Sequence, residues 1–158
     1  TTRRKLEVYR SLVESRLMYG LCTGSYSKAE LRRLDGFQAK CLRTVLRVLP
    51  SQFSRVSNAT IRQMAGCKSA SRLLREQQLI FLGKVLRTDP DNILRTVSFT
   101  PGLMQPATSR YIRRVGRPRK EWIAEVLPDA LRVAGGEQNL QTLAQRSAHW
   151  QRLVKTSA

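Results

Sequence analysis

Between Ser27 and Pro50 the chain carries apolar and cationic residues at helical spacing. Ser27 and Glu30 open the stretch as a capping box, in which each side chain accepts a hydrogen bond from the other's backbone N–H. Pro50 closes it, because the residue before a proline is driven out of the helical region. The pattern predicts a helix running from Ser27 to about Val48. Leu31, Leu34, Cys41, Leu42, Val45 and Leu49 cluster on one side. Arg32, Arg33, Lys40, Arg43 and Arg47 fall on the opposite side, within roughly 100°. A helix divided in this way must lay its apolar side on a neighbour. The chain offers no run of alternating β-branched residues and no Asn-Gly or Asp-Gly turn, so that neighbour is more helix. The expected fold is all-α, a helical bundle with a C-terminal helical hairpin joined by a basic linker.

The remaining elements follow from spacing and punctuation. Leu6, Tyr9, Val13 and Leu17 predict a first helix over 3–19, stopped by Gly20. A helix over 58–65 is capped by Ser57 and ended by Gly66. A further helix spans 71–87, and its half "LIFLGKVL", Leu79 to Leu86, is apolar nearly all round, as in a central buried helix. Gly83 within it fits close approach by a neighbour's backbone. One helical turn is expected over 89–95. The stretch from Val97, with Pro101, Gly102 and Pro106, reads as a linker. Pro118 suits the first turn of the next helix, which carries Trp122, Ile123, Val126 and Leu127. Pro128 should kink or restart that helix, and Gly135-Gly136 ends it. Asn139 is expected to cap a last helix holding Leu140, Leu143, Trp150, Leu153 and Val154, with Trp122 and Trp150 as mutual anchors. The predicted organisation is a helical bundle over 1–96, a linker with a basic arm over 97–117, and a helical hairpin over 118–158.

Charge narrows the partners. The chain has 158 residues and a net charge of +18, with 22 arginines against 7 lysines. Residues 1–96 carry net +12 and the remainder +6, so the charge is no tail on a neutral domain. Arginine is the side chain that grips phosphate bidentately and stacks on bases. A small domain this basic repels itself unless a polyanion meets it. Cys22, Cys41 and Cys67 form no CxxC, so no zinc knuckle is expected, and unpaired thiols fit a reducing, intracellular compartment. No apolar run approaches 18 residues, so no membrane partner is expected. The chain begins at Thr1, which suggests a piece of something longer.

Catalysis is not expected of this segment. Nucleotidyl transfer needs carboxylates converging on divalent metals. The four aspartates are Asp35, Asp89, Asp91 and Asp129. Asp89 and Asp91 sit in "RTDPDNI", where capping and a turn account for them. There is no P-loop and no Gly-x-Ser-x-Gly. His149, the one histidine, lies beside Trp150 with no partner near in sequence. Cys41 belongs to an apolar face, where core is the default. No cofactor is expected.

The segment "RYIRRVGRPRKEW" concentrates Arg110, Arg113, Arg114, Arg117, Arg119 and Lys120 without an acid among them. Phosphate contact, insertion of "VGRPRK" into a minor groove, and a solvated linker all remain open. The usual groove hook has an arginine where Val115 stands. Tyr111 and Trp122 offer stacking faces, although Trp122 also suits a core.

In order, "VYRSLVESRLMYG", "ELRRLDGFQAKCLRTVLRV", "RVSNATIRQMAG", "LLREQQLIFLGKVLR", "GRPRKEWI" and "LAQRSAHWQRLV" resemble the region after the polymerase core of non-LTR (LINE-like) retrotransposon reverse transcriptases. The resemblance covers about residues 5–155, apart from 97–111. It implies a thumb that packs on template–primer duplex, followed by an extension that engages element RNA or target DNA. It implies an upstream polymerase core of the same polypeptide, RNA-directed DNA polymerase activity in the parent protein, and a nuclear location. Arg33, Lys40 and Arg43 match a basic helix of that region, and Gly116, Arg117, Pro118 and Trp122 match its Gly-Arg-Pro…Trp pattern. Leu82-Gly83-Lys84-Val85 departs from the usual Leu-Gly-His-Val, and Arg146 and Ser147 replace an acidic-basic pair, as in a divergent copy.

The sequence therefore predicts a non-catalytic segment that binds DNA or RNA, duplex or hybrid, with little sequence preference. Its phosphate contacts are expected from Arg32, Arg33, Lys40, Arg43, Arg47 and the 110–120 arm. Two other readings are a helix-turn-helix factor built on the third and fourth helices, and a basic adaptor for an acidic protein.

Overall fold

A computed structural model of the chain describes residues 1–107 and 120–157. It is all-α. Among the described residues the only extended pairing is an isolated bridge between Phe99 and Pro106. The chain divides into two compact units, Thr1–Leu74 and Arg75–Ala158.

In the first unit, α1 (Thr2–Val8) continues through a widened π-type segment, Tyr9–Glu14, into α2 (Ser15–Met18). Gly20, at φ 74°, ends the run in the left-handed conformation that costs glycine least. A 3₁₀ turn, Leu21–Thr23, leads to α3 (Lys28–Leu46), which opens on the Ser27–Glu30 capping box. Next come α4 (Ser51–Ser54) and α5 (Asn58–Ala65). The Ser57 hydroxyl caps α5, and Gly66 closes it at φ 58°. Tyr9, Leu42, Ile61 and Ala65 form one buried cluster, which joins α3 and α5 to the N-terminal helix. Met18, Ala70 and Leu74 form another. Full burial of side chains such as Leu42 and Ile61 stabilises by about 1.5–3 kcal/mol each.

Two polar side chains of α3 hold the start of α6 (Ala70–Arg87). Asp35 accepts from the Ser71 N–H at 2.8 Å and from its hydroxyl at 2.7 Å. The buried Gln38 accepts from the Ala70 N–H and donates to the Lys68 carbonyl, both at 2.9 Å. These bonds satisfy groups that a helix start leaves open.

The second unit takes in α6 from Arg75 onward, then α7 (Ile93–Ser98), α8 (Trp122–Ala134), α9 (Glu137–Gln145) and α10 (Ser147–Ser157). Its core gathers Leu79, Leu82 and Val85 with Val126, Leu140, Trp150 and Val154. The Trp150 indole is fully buried and donates to the Leu79 carbonyl at 2.9 Å. Gly83 makes room for it, since a Cβ there would lie 2.5 Å from Trp150 Cδ1 and Nε1.

Several expectations change. The close approach at Gly83 is by an indole ring, not a neighbour's backbone. Residues 97–107 are not open linker: Phe99 and Met104 are buried in the second core, and the Phe99–Pro106 bridge closes their turn. The compact units meet between Leu74 and Arg75, within a helix, because the apolar half of α6 supplies the second unit's core. Pro128 does not restart a helix. It lies exposed inside α8, which runs on from Trp122 to Ala134. The tail is three helices instead of a hairpin. Gly136, not Asn139, precedes α9, and Arg146 separates α9 from α10. Trp122 meets Phe81 edge-on, with centroids 5.5 Å apart, while Trp150 is anchored on α6.

Candidate nucleic-acid interface

α3 sets one wall of the site. Its buried side carries Gln38, Ala39 and Leu42, and its outer side presents Arg32, Arg33 and Lys40 to solvent. Arg47, also exposed, caps the helix. None of these four has a carboxylate partner among the described residues. The acids nearest in sequence are already engaged, Glu30 in the capping box and Asp35 at the start of α6.

Arg43 behaves differently, and this corrects the sequence expectation. On a bare helix it belongs with the cationic face, but here it is buried. Its Nη1 donates to the Leu49 carbonyl at 3.0 Å and the Ser54 hydroxyl at 3.2 Å. Its Nη2 donates to the Val56 carbonyl at 2.5 Å and to Asn58 Oδ1 at 3.1 Å. The guanidinium fork thus gathers the segment 48–58 into a strap against α3. It has no donor to spare on those two nitrogens for a phosphate, so its part in binding is to shape the strap.

Two arginines here adopt the left-handed conformation, Arg47 at φ 57° just before the strap and Arg55 at φ 53° within it. Arg47 closes α3 by donating from its backbone to the Arg43 and Thr44 carbonyls, and Val48 N–H reaches the Arg43 carbonyl at 2.9 Å. Gly66 closes α5 in the same way. Glycine adopts this conformation without penalty, whereas a side chain costs about 1–2 kcal/mol there. Arg55 is exposed and belongs to the same face. Sequence reasoning missed it because a four-residue helix gives no periodicity to read. The available signal was the acid-free interval: no Asp or Glu occurs between Asp35 and Glu76, while eight Lys and Arg do.

Between α3 and the strap runs an open groove of about 570 Å³, whose walls include Gly36, Lys40, Thr44, Arg47, Leu49 and Pro50. It is cationic on the α3 side and apolar on the strap side.

The second cationic stretch is described in part. Arg110, Arg113, Arg114, Arg117 and Arg119 lie outside the described residues, as do Tyr111, Gly116 and Pro118. Lys120 is described, and its ammonium pairs with Glu125 at 3.0 Å. This tie to α8 competes with any phosphate.

Shifted protonation lies off this face. Burial raises the Glu14 carboxyl above the usual carboxylate range, with Arg10 opposing. Burial also raises the Tyr9 hydroxyl and the Cys41 and Cys67 thiols. A raised thiol pKa means less thiolate and a weaker nucleophile. Among the described residues no three His, Cys, Asp or Glu side chains stand together as a metal site requires. His149 is exposed on α10.

The face can therefore meet anions through Arg32, Arg33, Lys40, Arg47 and Arg55, five cations held by two elements that one buried guanidinium ties together. No protein-family model, curated protein or solved structure matches the chain.

Proposed function

We propose that the chain is a nucleic-acid-binding segment of a non-LTR retrotransposon reverse transcriptase, acting by position and not by chemistry. The observation that carries the reading is the unpaired cationic face of α3 and its strap. Charges fixed by a folded scaffold meet successive phosphates together, and each releases condensed counterions. The order of motifs, which resembles that of the post-polymerase region of those enzymes, supports the assignment to a parent polymerase. On this reading the ligand is template–primer, element RNA or target DNA, held by its backbone.

The helix-turn-helix alternative finds less support. A recognition helix needs a free face for the major groove. On α6 only Arg72, Gln77 and Lys84 are exposed, and Glu76 and Gln78 are buried.

Titration of a labelled duplex at several salt concentrations tests the proposal. Affinity should fall steeply between about 50 and 200 mM salt, and Lys40→Gln or Arg47→Gln should each reduce the slope by about one. Flat salt dependence overturns the reading. So does a slope that the Gln variants leave untouched.

A further inference from the structure

The chain has four phenylalanines, and they divide sharply. Phe99 is buried in the second unit's core, and Phe81 is half-buried against it. Phe37 and Phe53 are 47% and 70% exposed. Phenylalanine is ordinarily among the most buried side chains. Both exposed rings fall within the acid-free interval, and both lie on the elements that carry the unpaired cations. Phe37 is on α3, four residues after Arg33 and three before Lys40, so the three share one helix face. Phe53 is in α4, between the left-handed Arg47 and Arg55.

Gly36 adds an independent observation. It sits inside α3, where glycine costs roughly 1 kcal/mol relative to alanine, and it lines the groove. A Cβ built there meets nothing within 4 Å, so the fold itself does not call for a glycine. A bare backbone at that point leaves room for something outside the protein.

From these features we infer that the face formed by α3 and the strap binds an unpaired nucleic-acid strand, with Phe37 and Phe53 stacking on bases while Arg33, Lys40, Arg47 and Arg55 hold the phosphates. This rests on the phosphate-binding reading above and sharpens it. A duplex offers this face only phosphates and groove edges, whereas an unpaired strand offers exposed base faces that aromatic rings take up regardless of sequence. An apolar ridge for a protein partner would not need five unpaired cations around it. Charge complementarity selects a polyanion, and the rings select one whose bases are free. The groove is of nucleotide scale, and Gly36 lets a strand approach the α3 backbone.

The test uses the full chain with a short oligothymidylate and with a blunt hairpin duplex of equal phosphate number, at one salt concentration. The single strand should bind more tightly. Phe37→Ala and Phe53→Ala should each weaken it about tenfold and change duplex binding little. Phe53→Leu should lose as much as Phe53→Ala, and Phe53→Trp should restore binding, because the ring face and not the apolar area is needed. Gly36→Ala should weaken single-strand binding while leaving the melting temperature unchanged or higher. If the phenylalanine variants bind the single strand like the wild type while Lys40→Gln weakens it, the stacking inference is overturned and the phosphate reading stands. Full retention by Phe53→Leu overturns it as well. If neither nucleic acid binds at low salt, both readings fall.

Discussion

The two units hold similar stocks of cationic residues, and the described ones are used differently. The first carries 15 basic and 4 acidic residues, the second 14 and 7. Among the described residues of the second unit, Arg75, Arg87, Arg95, Lys120 and Arg132 are committed to the fold. Arg75 pairs with Asp129 at 3.2 Å, and Arg132 meets the same carboxylate. Arg95 donates to the Leu86 and Thr88 carbonyls at the end of α6, and Arg87 donates to the Ala144 carbonyl near the end of α9. A guanidinium there satisfies carbonyls that a helix end leaves open and complements its dipole. The first unit has such an arginine in Arg10, on the Ala65 and Gly66 carbonyls, yet the five cations of the α3–strap face have no carboxylate partner among the described residues. Net charge therefore overstates the surface available to a polyanion, and local commitment decides which cations are free.

The largest expected effect is on the second unit alone. Trp150→Ala should cost about 3–5 kcal/mol by emptying its core, while nucleic-acid affinity of the first-unit face persists at temperatures below the lowered melt. Parallel melting and binding curves check this, and equal loss of both would erase the contrast between the units.

Arg43→Ala comes next. It strips four acceptors of their donor and should cost about 2–3 kcal/mol, with binding weakened because the strap no longer holds Arg55 and Phe53. Arg43→Lys should rescue little, since an ammonium cannot reproduce the planar fork. Chemical denaturation read beside affinity would show whether Arg43 acts through the strap. Rescue by Lys would instead make it a plain charge.

The sequence announced much of this fold, and its failures are instructive. The bounds of α3 and α5 were legible because Ser27, Glu30, Ser57 and Gly66 act on their own neighbours in the chain. The outward direction of Arg32, Arg33 and Lys40 was legible because a helical wheel needs nothing beyond its own period. Arg43 was not, because a wheel ignores what later residues do, and the segment after Pro50 folds back over it. Phe99 and Met104 were hidden for a related reason: their prolines and glycine mark a turn but not the core that the turn enters. Asn139 looked like a cap because its side chain suits one, while the Gly135-Gly136 turn had already set the start of α9.

Arg47→Gly sharpens the comparison in the opposite direction. It should stabilise the first unit by about 1 kcal/mol by relieving the left-handed conformation, and it should weaken nucleic-acid binding. A higher melt together with lower affinity is the expected pair of readings. A lower melt would mean that the side chain supports the fold.

The smallest effect concerns pH. Glu14 Oε2 is buried without a hydrogen-bond partner, and burial raises its pKa in the folded state. The protonated form is thus favoured on folding. Its contribution is fully present below the unfolded pKa and lost as pH rises through the folded one. Glu14→Gln should flatten this part of the pH–stability profile and raise stability on its alkaline side, as melts across mildly acidic to neutral pH would show. An unchanged profile would place the carboxylate in contact with solvent or with Arg10.

Both tryptophans, Trp122 and Trp150, belong to the second unit. Indole emission is therefore a private spectroscopic channel for that unit: quenching or a red shift reports its opening and is blind to the other. Circular dichroism sums both. Where the two signals part company during a thermal ramp, the residue of the subtraction is the unfolding of the unit that carries the cationic face, obtained without attaching a dye.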